Sequence, residues 1–280
     1  MLKTRVITAV ILLIVLLAVL TYGGAIGWNI FVLVVLIGAF WEWARLGQFD
    51  PGKAIAYALA GGALCVSAIM FLNIETQSYP ILALASIFWV AFAPWCLRNV
   101  SIGKLANPAV YALVGFVLIA AAGLALVIAK IYGVVFLLST LAICFAADIF
   151  AYFFGKTLGK RKLAPRISPG KSWEGAIGGA FSVLAISWLV VMLADSVPAL
   201  EDTWQVMAFE RWHPIVFSFW LLVLSAYSVV GDLFESMLKR KAGLKDSSSL
   251  LPGHGGILDR IDAQLPVLPL AVLLVSTVAG

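Results

Sequence analysis

The sequence predicts an all-α, polytopic membrane protein with about nine transmembrane helices and its N-terminus in the cytoplasm. Three observations lead there. Of the 280 residues, 63% are hydrophobic and only 12% are charged, against roughly 45–50% and about 25% in ordinary soluble domains. The mean hydropathy of +1.06 over the whole chain is more than one apolar helix on a soluble body could produce. When nine apolar runs are threaded in order, the basic residues sort to one side of the membrane. A secreted disulfide scaffold, a disordered chain and a water-soluble enzyme are thereby excluded.

The runs cover approximately 6–22, 25–41, 54–72, 80–97, 108–129, 132–154, 175–194, 214–238 and 264–280. Each is near the ~20 apolar residues that one helical crossing requires. The first follows Lys3 and Arg5, as a signal peptide would. It is long for a signal core, however, and Gly23-Gly24 leads straight into the second run, so it reads as a retained span. With the N-terminus inside, all of the 19 basic residues except Lys130 and Arg211 fall on the cytoplasmic side. The outer 195–213 segment instead carries Asp195, Glu201, Asp202 and Glu210. Trp41, Trp43, Trp95, Trp204 and Trp212 lie near run ends, where interfacial anchors are expected. Cys65, Cys96 and Cys144 sit inside apolar runs without metal-ligand spacing, and three cysteines make no disulfide framework. The net charge of +5 is a positive-inside face, so no nucleic acid partner is expected. The chain divides into 1–130, with about five spans, and 131–280, with about four spans and two basic cytoplasmic loops.

A carboxylate inside an apolar helix is costly and marks a functional site by default. Asp148 lies about 9 Å deep in the sixth run, and Asp232 is similarly placed in the eighth, with Ser228, Glu235 and Ser236 at helical spacing on its face. No run carries a Lys or Arg at matching depth. A structural ion pair is therefore disfavoured, and a bound hard cation such as Mg²⁺ is the expected counter-charge. The segment 236–262 is denser. It runs from Ser236 through Lys239-Arg240 and Lys245-Asp246 to Pro252-Gly-His254-Gly255-Gly256-Ile-Leu-Asp259-Arg260-Ile-Asp262. Its glycine turn would offer backbone N–H groups to a phosphate, and its Lys and Arg side chains suit phosphate oxygens. An ordinary positive-inside loop would account for the basic residues but not for the Asp and Gly pattern. The loop Ser168-Pro169-Gly170-Lys171-Ser172-Trp173-Glu174-Gly175 predicts a turn at Pro169-Gly170 and then a helix N-terminus, which with Lys171 would bind an anion. It lacks the leading glycine of a Walker loop.

The run from Ser236 to Asp262 resembles the signature of the CDP-diacylglycerol synthase (phosphatidate cytidylyltransferase) family, with its S-x-x-K-R, K-D, H-G-G and D-R-x-D elements in order. The loop Ser-Pro-x-Lys-Ser-Trp-Glu-Gly and the run-six stretch Asp148-Ile-Phe-Ala-Tyr152-Phe-Phe-Gly155 are similar to family features too. The likeness covers the chain from about 145. One departure is Gly170, where family members often carry a second Lys. The resemblance implies transfer of a cytidylyl group from CTP to phosphatidate, giving CDP-diacylglycerol and pyrophosphate. It implies Mg²⁺ held by Asp232 and Asp259, with a monovalent cation such as K⁺ as a neighbour. Catalytic roles are expected for Asp148, Lys239, Arg240, Arg260 and Asp262, and substrate binding for Ser168, Lys171, Ser172, His254, Gly255 and Gly256. The expected setting is a bacterial cytoplasmic (inner) membrane with the site facing the cytoplasm, and a homodimer is kept open.

Three other readings compete. A CTP-dependent polyprenol-type lipid kinase would release CDP, but the complete H-G-G-x-x-D-R-x-D run favours the synthase. A CDP-alcohol phosphotransferase would need a D-G-x-x-A-R…D-x-x-x-D pattern that is absent. An ion-coupled transporter would place its charges near the midplane in two related halves, whereas these acids cluster near one face of the C-terminal half.

Overall fold

The structure is a computed structural model that describes residues 2–276, with Leu2, Lys3, Arg5 and Lys104 described in backbone only. It is an all-α bundle. In chain order come α1 (Leu2–Tyr22), α2 (Gly24–Leu46), α3 (Pro51–Phe71), α4 (Ile74–Gln77), α5 (Tyr79–Ile87), α6 (Ala93–Asn99), α7 (Pro108–Tyr132) and α8 (Val134–Leu158). A short hairpin, β1 (Lys162–Ala164) and β2 (Ser168–Ser172), precedes α9 (Trp173–Ala194), α10 (Trp204–Arg211), α11 (Pro214–Lys241), α12 (Leu258–Ile261) and α13 (Gln264–Ser276). Among the described residues seven segments are long and apolar enough to cross a membrane: α2, α3, the segment Ile74–Asn99, α7, α8, α9 and α11. They coincide with seven of the nine expected runs. At the other two, the apolar part of α1 is Val6–Tyr22 and α13 ends at Ser276. Residues 277–280 of the ninth run, and the side chains of Lys3, Arg5 and Lys104, lie outside what is described.

Local chemistry sets the helix ends. Asn107 accepts hydrogen bonds from the N–H groups of Ala109 and Val110, with Pro108 opening α7. Ser172 accepts from Gly175 N–H at the start of α9. The helix-start reading of Ser172-Trp-Glu therefore holds. The turn at Pro169-Gly170 does not: both residues lie in β2, paired antiparallel with β1, and the chain reverses between the strands at 165–167. A single sheet edge tolerates Pro because it needs no ladder donor there.

α7 and α13 form the buried centre, with α13 enclosed by α5, α7, α8 and α11. Trp43 and Trp204 are core side chains rather than interfacial anchors. Their indole N–H groups donate to the carbonyls of Tyr111 and Ala271, at 3.0 and 2.9 Å. A Cβ at Gly115 would stand 2.0 Å from Trp43 Nε1, so only glycine admits that indole. Likewise the 195–213 segment is no open loop, since α10 docks against α8, α9 and α13 with Gln205 buried. Cys65, Cys96 and Cys144 are free and buried, as expected. The ends that matter for function gather on one face. Thr8 of α1 donates to the Pro252 carbonyl at 2.8 Å, which puts the start of α1 beside the loop that follows α11.

Candidate active site

α8 and α9 lie unusually close because small residues face each other. A Cβ on Gly175 or Gly179 would come within 2.7 or 2.5 Å of the carbonyls of Ala151 and Ala147. This contact brings Asp148 of α8 next to the hairpin that leads into α9. On α11, Gly231 admits the Asp262 carbonyl, which a Cβ would meet at 2.2 Å, and Asp262 thereby comes beside Asp232. The outcome is one cavity of about 620 Å³, within the range of small-molecule sites. It is lined by Asp148, Asp232, Asp246, Asp259 and Asp262 and by Lys156, Lys171, Lys239 and Arg260, with Ser168, Gly170 and Ser172 from the hairpin.

The acids are not all unpaired, which corrects the sequence expectation. Lys171 Nζ lies 2.5 Å from Asp232 Oδ2, and Ser236 donates to Asp232 Oδ1 at 3.2 Å. The counter-charge that no span supplies comes from a loop. Lys239, near the end of α11, bridges Glu235 and Asp259, reaching Asp259 Oδ1 at 2.5 Å. Asp148 makes no ion pair among the described residues and accepts from Ser228 Oγ at 3.4 Å. Ser228 therefore serves Asp148 rather than Asp232. Asp259 Oδ2 accepts from Ser247 N–H, Ser247 Oγ and Gly256 N–H at 2.9, 2.9 and 2.7 Å. Burial pushes the Asp259 carboxyl up, yet the Lys239 ammonium and these N–H donors hold it below the usual carboxylate range. Asp262 goes the other way, raised by burial and then by the neighbouring Asp232 carboxylate.

The expected phosphate cradle lies apart from this cavity. His254, Gly255 and Gly256 do not line the cavity. The N–H groups of His254 and Gly256 go to the Leu251 carbonyl and to Asp259, at 2.8 and 2.7 Å. Those of Ile257 and Leu258 go to Glu42. Gly255, at φ +83°, makes the turn that only glycine adopts easily. Arg240 is exposed outside the cavity, where its guanidinium donates to the Leu244 carbonyl at 3.2 Å. The other expected residues, Asp148, Ser168, Lys171, Ser172, Asp232, Lys239, Asp259, Arg260 and Asp262, are brought together. Glu42 went unnoticed in the sequence although it obeys the same rule that singled out Asp148: a carboxylate within an apolar helix.

A profile of the cytidylyltransferase family matches residues 3–278. The chain belongs to the cytidylyltransferase family. A phosphatidate cytidylyltransferase of Pseudomonas aeruginosa is 36% identical over 275 residues, covering 96% of this chain and 95% of its own. Proteins of the same name from Brucella abortus and Staphylococcus aureus are 32% and 31% identical over 280 and 287 residues. The first alignment spans 97% of this chain and 92% of the relative, the second 97% and 98%. The relatedness therefore runs through the N-terminal helices, which by sequence pattern alone had seemed only hydrophobic.

The residues present suit a hard divalent cation in kind, since the cavity offers carboxylate oxygens and no soft ligand. Among the described residues, no three acidic, imidazole or thiol groups form a ready cage. Two of the carboxylates instead hold lysine ammonium groups, which occupy the place of a cation.

Proposed function

We propose that this protein transfers the cytidylyl group of CTP to phosphatidate, forming CDP-diacylglycerol and releasing pyrophosphate. The observation that carries this reading is a single cavity in which the 168–172 hairpin meets the acids and bases of 232–262. An oxygen of the phosphatidate phosphate bonds to the α-phosphorus of CTP, and the bond from that phosphorus to the bridging oxygen breaks. No general base is needed, because the attacking phosphate is already anionic. The difficulty is bringing two anions together, which basic side chains and a metal relieve.

Lys171, with the hairpin and the start of α9 beside it, grips the polyphosphate of CTP. Lys239 and Arg260 flank the point where lipid phosphate and α-phosphate meet. Asp232 and Asp259 would hold Mg²⁺, with a monovalent cation such as K⁺ nearby; when bound, the metal supplies charge neutralisation to the phosphates. Its binding would free Lys171 and Lys239 from those carboxylates for the substrates. Asp148 and Asp262 complete the acidic wall. Nine crossings, with α1 and α13 among them and the N-terminus inside, put the site at the cytoplasmic surface of a bacterial inner membrane. CTP then arrives from the cytoplasm, phosphatidate from the bilayer, and no nucleic acid takes part. Residues 1–130 form the supporting region and 131–280 the reacting region, and a homodimer is the assembly to test.

Incubating the purified protein with CTP, phosphatidate and Mg²⁺ tests the reading directly. CDP-diacylglycerol and pyrophosphate should appear in equal amounts. Release of CDP, with a phosphorylated lipid, would instead identify a CTP-dependent kinase.

A further inference from the structure

Glu42 is fully buried, near the end of a largely apolar helix whose last turn also carries Arg45, and makes no ion pair among the described residues. Such a carboxylate is expensive unless its oxygens are satisfied. Here every donor that reaches them comes from one distant segment. Oε1 accepts from Ser248 Oγ at 2.5 Å and from Ile257 N–H at 2.9 Å. Oε2 accepts from Ser247 Oγ at 3.0 Å and from Leu258 N–H at 2.7 Å. Three of these donors serve Glu42 alone, and the fourth, the one proton of the Ser247 hydroxyl, is shared with Asp259 Oδ2. Two glycines make the approach possible. A Cβ on Gly256 would stand 2.4 Å from Glu42 Oε1, and one on Gly38, a turn earlier in α2, would stand 2.3 Å from Ile257 Cδ1.

These donors are not a random sample of the loop. Ile257 and Leu258 open the short α12, which carries Asp259 and Arg260 into the cavity and ends beside Asp262. Ser247 connects Glu42 to Asp259 directly, since its hydroxyl and N–H also reach Asp259 Oδ2. We propose that Glu42 is a positioning residue for cytidylyl transfer: it fixes the first turn of α12, and with it Asp259 and Arg260, from the N-terminal half of the chain. The proposal rests on the function given above, in that it assigns Glu42 a part in that reaction. Glu42 touches no lining group other than through Ser247 and the α12 backbone, so its effect is on geometry. A glutamine in its place offers one oxygen and one NH₂, and the NH₂ would face an N–H donor. One end of the clamp must then open, and displacement of about 1 Å at a reacting group can cost about 10²-fold in rate.

The test uses the full chain purified in detergent, as wild type, Glu42→Gln and Ser248→Ala. It reads kcat, KM for CTP, thermal midpoint, and deuterium uptake over residues 255–261. Glu42→Gln should lower kcat by about 10²-fold, with KM for CTP within about threefold, as for an interaction felt at the chemical step. Uptake at Ile257 and Leu258 should rise while the midpoint of the remaining bundle stays close to wild type. A folded Glu42→Gln protein with kcat within about threefold of wild type overturns the proposal. So does a loss of rate that merely tracks a loss of folded protein with no change in uptake at 255–261. Should Glu42→Gln not fold, Ser248→Ala decides, because it removes one donor and keeps the carboxylate. It should lower kcat by about three- to tenfold, as loss of one hydrogen bond to a charged group allows, and unchanged kcat and uptake would sink the idea. Wild-type protein that makes no CDP-diacylglycerol would remove the functional reading, whereas the uptake comparison still judges the clamp itself.

Discussion

Lys171 and Lys239 each spend their charge on a cavity carboxylate, Asp232 and Asp259 respectively, and this pairing decides what single substitutions do. If both acids take Mg²⁺ during turnover, their amides should be nearly inactive while the protein stays folded. Asp232→Asn and Asp259→Asn should each cut kcat by about 10²-fold or more at saturating Mg²⁺, in line with loss of one charge-stabilising group. Near-normal turnover in either variant would take that residue out of the metal site. The two basic positions should separate kinetically. Lys171→Ala should raise KM for CTP by about 10–100-fold, since hydrogen bonds to charged groups contribute roughly 1.5–3 kcal/mol. Arg260→Ala should chiefly lower kcat, because its charge matters most when two phosphates are forced together. Steady-state kinetics with each substrate varied alone would show it, and a Lys171→Ala effect confined to phosphatidate would reverse the assignment. At this scale the sequence was readable where a charge interrupts a long apolar run, as at Asp148 and Asp232. It was not readable where charge is cancelled through space. Nothing in the spacing says that Lys171 meets Asp232, or that Glu42 faces Ile257, 215 positions away.

Helices α8 and α9 show how an element-level contact builds the site. Gly175 and Gly179 let α9 lie on the backbone of α8 at Ala151 and Ala147, three residues after Asp148 and directly before it. Gly179→Ala puts a methyl 2.5 Å from the Ala147 carbonyl, and the obstacle is backbone, which cannot rotate away. Forced overpacking of this kind costs about 1–3 kcal/mol, so the thermal midpoint in detergent should fall and activity with it. Gly52→Ala, at the start of α3 with nothing within 4 Å of the added methyl, is the control and should be neutral or slightly stabilising. If both variants melt alike, close packing of α8 on α9 does not set the site. Helices were legible because apolar runs near the crossing length have few other uses. The β1–β2 hairpin was not, since Lys162–Ala164 and Ser168–Ser172 show no apolar alternation. Nor was α10, whose eight residues are too few to carry a period, and whose Trp204, expected as an interface anchor, is buried with its indole N–H on the Ala271 carbonyl of α13.

Across the whole molecule, the ends of helices and the charges tell one story about sides. α1 packs on α2, and Thr8 near its start bonds Pro252 in the loop beside the cavity. At 21 residues α1 is about 31 Å long, and α13, at 13 described residues, is about 20 Å. The apolar part of the first, Val6–Tyr22, covers about 25 Å, somewhat short of the ~30 Å hydrocarbon core of a bilayer. The second, with Pro269 inside it, is sheltered by its neighbours from needing a full lipid-facing length. By the positive-inside rule, Lys3 and Arg5 join the other basic residues on the cytoplasmic side only if α1 crosses. Cysteine labelling in intact cells tests this with little background, because Cys65, Cys96 and Cys144 are buried. Tyr22→Cys and Ser196→Cys, both at exposed positions, should react with a membrane-impermeant maleimide added outside. Ser249→Cys, exposed on the cavity side, should react only after the cells are opened. Labelling of Ser249→Cys in intact cells would turn the molecule over and put the cavity out of reach of CTP. Thr4→Cys, exposed near the start of α1, should also react only after opening; its labelling in intact cells would leave the other helices as they stand and lay α1 along the outer surface, with eight crossings in place of nine.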